Sequence, residues 1–287
     1  MKYLITNSDD FGLTRSITDA IIDTHINGFM KSTTIMCNMD GTDYAIKKAK
    51  EISTLSVGIH FNLTEGKPLS DPSKVPDLLD ENGFFKKNIE QRGNFLYGKS
   101  KQTQVELELQ NQLEYLLDFG LIPTHFDSHH HITGTPIAFR ASLNVARKFG
   151  INRARITNTD FLYLKSYKNL LNKVKHRVLN SPKAFLHDFN KRILVRNKFI
   201  TPDYKVLPFR VLPANEDYIQ QFINALSVLK EGITEISFHP GFKGSYLHDS
   251  AKTAQIRIRD MEIAKSSRVY EYIKNNKIQL ISFKDLK

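Results

Sequence analysis

The sequence predicts an α/β protein built as an irregular TIM-type (β/α) barrel, with seven or eight parallel strands and loop insertions over its mouth. Three observations carry that prediction. Short runs rich in Val, Ile, Leu and Phe recur along the 287 residues, segments with helical spacing fill most of the intervals, and Gly, Pro and Asp-Ser turns mark the boundaries. Strand then helix, repeated, is the pattern of a parallel sheet, because parallel neighbours need a crossover. An open doubly wound sheet obeys the same pattern and is the alternative.

The first run covers residues 3–6 and precedes Ile17, Ile21 and Ile22, which share one helical face. Runs at 33–36 and 57–63 follow. Leu107, Leu109, Leu113, Leu116 and Leu117 then outline a helix that Gly120 closes before Pro123, ahead of a run at 125–127. Further runs fall at 153–156, 206–211, 235–239 and 279–282, with Phe222, Ile223, Leu226 and Leu229 at helical spacing before the seventh. His239-Pro240-Gly241 stops that seventh run abruptly. Residues 65–101, studded with Gly and Pro, and a basic region at about 160–205 break the rhythm and read as the insertions.

With 40% hydrophobic and 25% charged residues the chain can bury one substantial core, so a single catalytic domain over 1–287 is expected, carrying a basic helical insertion at about 160–205. The first residues turn polar too early for a signal peptide, and no apolar run approaches the roughly 20 residues a membrane-crossing helix needs. A cytoplasmic protein without a membrane partner is therefore expected. Cys37 alone allows no intrachain disulfide and no thiolate-rich zinc site, which suits a reducing compartment; it reads as a small buried apolar side chain after a strand.

The formal charge is +11, and much of it is local: ten Lys or Arg lie between Lys165 and Lys198, against Asp188 alone. A solvated helical face accounts for such a run; a patch for an anionic polymer is the sharper alternative. No RNA-binding signature, zinc-finger spacing or basic-plus-heptad pattern accompanies it, so nucleic acid is not the expected partner.

The chemistry-bearing side chains cluster at the carboxyl ends of the predicted strands. Asp9 and Asp10 follow the first, His60 lies late in the third, Asp127, His129, His130 and His131 follow the fourth, and His239 closes the seventh. That rim is where loops from different strands converge in barrels and open α/β sheets alike, so residues distant in sequence can share a pocket there. Each cluster has a plainer account. An Asp pair before a helix caps it, and a lone histidine is commonly a hydrogen-bonded core residue. Three consecutive histidines are a stronger signal, because a cation relieves the cost of crowding imidazoles. One carboxylate with two imidazoles leaves coordination positions open, as in a catalytic site, and does not by itself name the ion.

Read as motifs, Asn7-Ser8-Asp9-Asp10-Phe11-Gly12-Leu13, Gly58-Ile59-His60-Phe61-Asn62-Leu63-Thr64-Glu65-Gly66, Pro123-Thr124-His125-Phe126-Asp127-Ser128-His129-His130-His131 and Glu235-Ile236-Ser237-Phe238-His239-Pro240-Gly241 resemble the YdjC-like carbohydrate deacetylases, which include chitooligosaccharide (diacetylchitobiose) deacetylase. The resemblance implies a barrel-like fold related to the polysaccharide deacetylases. It also implies one divalent ion, usually magnesium with zinc or manganese as alternatives, held by Asp10, His60 and His129. Asp9 becomes the general base, and the substrate an N-acetylated amino sugar or chitooligosaccharide. Where family members often carry a further alternate histidine, this chain has Thr133, which bears on the sugar and not on the metal.

His239, fixed by the turn behind it, is the candidate general acid for the leaving nitrogen. Asp127 is placed behind a ligand imidazole and Arg155 beside Asp9 or the sugar, with a cap or a surface ion pair as the plainer role of each. Asn62, Thr64 and His131 are candidate sugar contacts; Asn62 and Thr64 equally suit loop backbone. Two other readings compete. A metal-dependent phosphoesterase is one, although Asp9-Asp10 stands where its amino-terminal His-x-His would be; an anionic-glycan or nucleic-acid binding protein using 165–198 is the other. A homo-oligomer is compatible with all of them.

Overall fold

The computed structural model describes residues 1–156, 189–206, 217–248 and 250–287. Its strands are β1 (Lys2–Phe11), β2 (Ser32–Ile35), β3 (Ser56–Phe61), β4 (Phe126–Ser128), β5 (Tyr204–Val206), β6 (Gly232–Phe238) and β7 (Gln279–Ile281). Around them lie α1 (Arg15–Ile26), α2 (Thr42–Glu51), α3 (Asn88–Leu96), α4 (Gln102–Asp118), α5 (Pro136–Lys148), α6 (Tyr218–Ser227), α7 (Ala251–Ala264) and α8 (Ser267–Asn275). Every strand pairing is parallel, in the order β4-β3-β2-β1-β6-β5, with β7 also on β1. β6 follows β1 along residues 2–8, so β7 and β2 share the opposite edge, β7 beside residues 3–5 and β2 from Asn7 onward. Parallel bridges Phe126↔Ala154 and Arg153↔Ile200 carry the sheet past β4 towards β5. The sheet thus curls into the (β/α) barrel-like form expected, not an open doubly wound one.

Four of these helices start on a side-chain cap. Thr14 caps α1 through its hydroxyl, which accepts from Ile17 N at 3.1 Å, and Asp217, Ser250 and Ser266 cap α6, α7 and α8 in the same way. Asp9 and Asp10 are therefore not caps. Ile17 and Ile21 of α1, and Leu109, Leu113 and Leu116 of α4, pack with Ile35, Val57 and Ile59 in one apolar layer outside the sheet. Leu4, Val206, Ile236 and Phe238 form a second layer with α6, α7 and α8.

Three expectations need adjusting. β1 runs to Phe11 rather than stopping near residue 6, because the Asn7 NH₂ donates to Asp9 and Thr34 inside the barrel and Arg155 pairs with Asp9 there. The run at 153–156 contributes single bridges in place of a strand, and β5 begins at Tyr204, the rest of the 206–211 run lying outside the described residues. The basic region at 160–205 is not insertion throughout, since Ile200 and β5 both join the sheet; its residues 157–188, with most of the positive run, lie outside the described residues. Among the described residues no helix is long and apolar enough to cross a membrane.

The floor of the barrel is apolar: Ile5, Phe283 and Leu286 pack with Ile200, Ile233 and Ile281. Above it His125 stacks on Phe283 at 3.7 Å, and burial pushes its imidazole down to about 3, so it sits there neutral. That ring explains Gly58, because a Cβ at this position would stand 2.4 Å from His125 Cε1. Gly58→Ala is expected to lower stability by roughly 1–3 kcal/mol through overpacking, with part of the loss recovered in a Gly58→Ala/His125→Ala pair. Thermal unfolding of both variants checks this, and an unaltered Tm in the single variant would contradict it.

Candidate active site

At the carboxyl rim, β1 departs from regular geometry. Its register with β2 slips between Ser8 and Phe11, and Asp10 adopts φ 71°. Neighbouring side chains on a regular strand face opposite sides, so two consecutive acids could not serve one site. The bulge re-aims the second: Asp9 points to Arg155 and Asp10 to His129 and Arg257. A left-handed non-glycine residue costs roughly 1–2 kcal/mol, and such residues gather where function holds them.

His60 and Asp127 face each other by strand register, β3 against β4. Asp127 Oδ1 lies 2.5 Å from His60 Nδ1, and the Thr34 hydroxyl 3.1 Å from the same nitrogen. His60 Nε2 is thereby turned to Asp10 Oδ1, at 3.6 Å, and His129 Nδ1 reaches that oxygen at 3.0 Å. Arg257 occupies the other oxygen of Asp10 at 3.0 Å. One carboxylate oxygen and two imidazoles so converge on a common point, with donor atoms within 4.8 Å of one another and all three residues buried.

The field around this point favours a positive charge. Burial pushes His60 down, but Asp127, Asp9 and Asp10 outweigh it and raise the imidazole. Burial raises the Asp10 carboxyl, and His129 and Arg257 hold it well below the carboxylate range. A divalent ion fits: the donor set suits it, and a carboxylate behind one imidazole fixes the ring that would bind. Asp9, His60 and Asp127 form a second group within the same distance, yet Arg155 already occupies Asp9 and Asp127.

Arg155, nearly sealed from solvent at 5% exposure, binds three carboxylates. Its terminal nitrogens reach Asp9 at 2.8 and 2.6 Å, one also reaches Asp127 at 2.5 Å, and Nε meets Glu235 at 2.5 Å. Burial alone would raise Asp9; Arg155 reverses that and holds the carboxyl far below its usual range, ionised. His239 Nε2 lies 3.7 Å from Asp9 Oδ2, an oxygen that Arg155 also contacts, and its backbone N–H donates to Asp260 at 2.8 Å. Burial lowers the His239 imidazole despite Asp9 and Asp10 nearby.

The remaining predicted residues are placed differently. Asn62 is buried, its amide oxygen accepting from Thr64 N and Glu65 N and its NH₂ donating to Asn38 and Glu65 O, so it shapes the loop after β3. The Thr64 hydroxyl pairs with His130 Nδ1 at 3.0 Å. His130 and His131 both have positive φ, 52° and 53°, and His131 lies near Lys205, whose charge pushes its imidazole well down. The Thr133 hydroxyl closes the same loop onto Ser128 at 2.7 Å.

Glu235, Lys205, Arg257 and Asp260 complete the site and were not singled out from the sequence. Glu235 carried a signal: it stands at even spacing from His239 on one strand, hence on the inward face. Lys205, in register with Glu235, is buried and lowered by that burial to about 8. Arg257 and Asp260 come from α7, a helix whose polar composition conceals two buried charged positions.

The fold and rim together define a class, an α/β barrel-like protein with a buried Asp-His-His cluster at the carboxyl ends of its strands. The sequence model of the YdjC-like protein family matches residues 3–275, and the chain belongs to that family. A protein named carbohydrate deacetylase from Clostridium beijerinckii is 30% identical over 99% of both chains, and one of the same name from Thermoanaerobacter pseudethanolicus is 28% identical over 100% of both. A solved structure from Enterococcus faecalis V583, provisionally described as a cellobiose-phosphate cleavage protein, superimposes with a TM-score of 0.77 at 27% identity, over 98% of this chain and 97% of that one.

Proposed function

We propose that the protein is a cytoplasmic, divalent-metal-dependent hydrolase that removes the acetyl group from an N-acetylated amino sugar or chitooligosaccharide. The observation that carries this reading is the convergence of Asp10, His60 and His129 on one point, with the Asp9 carboxylate and the His239 imidazole alongside. The curated relatives named carbohydrate deacetylase supply the reaction class. The donor set suits magnesium, manganese or zinc. When bound, such an ion supplies Lewis acidity, making water more acidic and polarising a carbonyl oxygen.

The chain's own residues account for the proton movements. Asp9, kept ionised by Arg155, accepts the proton of the attacking water on the oxygen nearest His239. His239 faces that same space, anchored through its backbone to Asp260, and delivers a proton to the leaving nitrogen. Burial lowers its pKa and leaves the imidazole neutral at the start, so the proton it delivers is the one Asp9 takes from the water, passed across the 3.7 Å between Asp9 Oδ2 and His239 Nε2. Asp127 and Thr34 keep His60 in the orientation that presents Nε2.

The test is acetate release from N-acetylglucosamine, chitobiose, longer chitooligosaccharides and muropeptides, after chelation and after return of Mg, Mn, Zn or Co. Loss of activity on chelation and its return with at least one ion are expected. Turnover that survives exhaustive chelation would exclude the ion, and no acetate from any member of the panel would exclude the substrate class.

A further inference from the structure

Helix α3 belongs to the insertion after β3, yet two of its adjacent residues reach the segments that carry both imidazoles. Gln91 is fully buried, and its amide donates to Leu63 O at 3.0 Å, three residues beyond His60, and to Leu78 O at 3.2 Å. Arg92 donates through one terminal nitrogen to the carbonyl of His131 at 3.0 Å and to that of His130, the two residues following His129. Its Nε is held by Asn88 Oδ1 at 3.0 Å, which fixes the guanidinium to the helix.

The segment Arg92 grips is the one that needs holding. His130 and His131 are consecutive left-handed residues, a conformation that L side chains avoid. Their turn lets the His129 ring stay on Asp10 while His130 folds back to Thr64, the two ring centroids 3.9 Å apart and their planes tilted by 41°. Besides the Thr64 contact to His130, the Arg92 donor on those two carbonyls offsets the cost of the left-handed pair. One terminal nitrogen serves both carbonyls while the Nε contact to Asn88 fixes the plane of the guanidinium, a second anchor that an ammonium lacks.

We propose that Arg92 is a positioning residue for the metal centre: it locks the left-handed His130–His131 pair and so sets the His129 imidazole against Asp10 and His60. With Gln91 it makes α3 a brace between the two histidine-bearing loops. The inference rests on the metal reading above, and cobalt is the probe that separates the two.

Cobalt affinity is measured on the full chain for wild type, Arg92→Ala and Arg92→Lys by competition with a chromophoric chelator, together with the visible d–d spectrum and metal-free thermal unfolding. Arg92→Ala is expected to weaken cobalt binding by about 10–100-fold, as loss of a partner that orients a ligand does, and to alter the d–d spectrum. Arg92→Lys should fall between. Millimolar methylguanidinium should restore part of the affinity to Arg92→Ala and none to His129→Ala. If Arg92→Ala fails to fold, the lysine variant decides alone. Affinity within two-fold of wild type and an unchanged spectrum in the folded variants overturn the proposal. So does a lower Tm without any guanidinium response, since that marks general support of the fold. Absence of cobalt binding in wild type overturns the metal reading instead, and this role with it.

Discussion

Replacing Asp9 by Asn is expected to cut turnover on the active N-acetyl substrate by about 10²–10⁴-fold, the range a positioned proton acceptor contributes, while the ion stays bound. The substitution keeps the shape of the side chain but leaves Arg155 one acceptor oxygen in place of two, and an amide cannot take a proton from water. Asp10, His60 and His129 are untouched, so metal content measured after dialysis should match wild type. Arg155 keeps Asp127 and Glu235 as partners, which limits the structural cost. The decisive pairing is kcat/KM with metal content on the same preparation. An unchanged rate at full loading removes Asp9 from the base role.

The second large effect concerns stability. Arg155→Met in metal-free protein should cost roughly 3–5 kcal/mol near neutral pH, because it leaves buried carboxylates without their cation. The pH dependence has a definite sign. In wild type, burial raises Asp9 and Asp127 but Arg155 outweighs it and lowers both. Their contribution is therefore present above the unfolded value of about 4 and is lost as pH falls towards their lower folded values. In the variant burial prevails, the folded carboxylates titrate above their unfolded value, and the penalty disappears as pH falls through that raised range. The gap between the two proteins should be widest near pH 7 and shrink on acidification. Urea unfolding from pH 7 to pH 4 measures it, and a gap constant across that range would contradict the account.

Much of this was readable from the chain because the periodic signals and the functional signals coincide. Parallel strands buried on both faces leave apolar runs, and their carboxyl ends are where Asp9, His60, His129 and His239 fall. What escaped detection was polar and interior. Asn7, Asp9 and Asp10 look like the end of a strand, yet β1 continues through them: Thr34 accepts from Asn7, Arg155 pairs with Asp9, and His129 and Arg257 engage Asp10, all from elements 27 residues and more away in sequence. The bulge at Asp10 has no signature in residue type, because asparagine and aspartate tolerate positive φ without requiring it. Arg257 and Asp260 lie on a helix whose buried face is charged, so a hydrophobic pattern could not reveal which side turns inward. Asn62, two places after His60, suited a sugar contact or loop backbone equally from sequence, and the structure gives its amide the second role, shaping its own loop.

The account depends most on where a metal binds. Crystals of the cobalt- or zinc-loaded protein, examined by anomalous scattering at the metal edge, test that directly. One peak per chain is predicted, within coordination distance of the Asp10 carboxylate and the His60 and His129 imidazoles, with Asp9 still on Arg155. A peak elsewhere, or none at saturating metal, would contradict it.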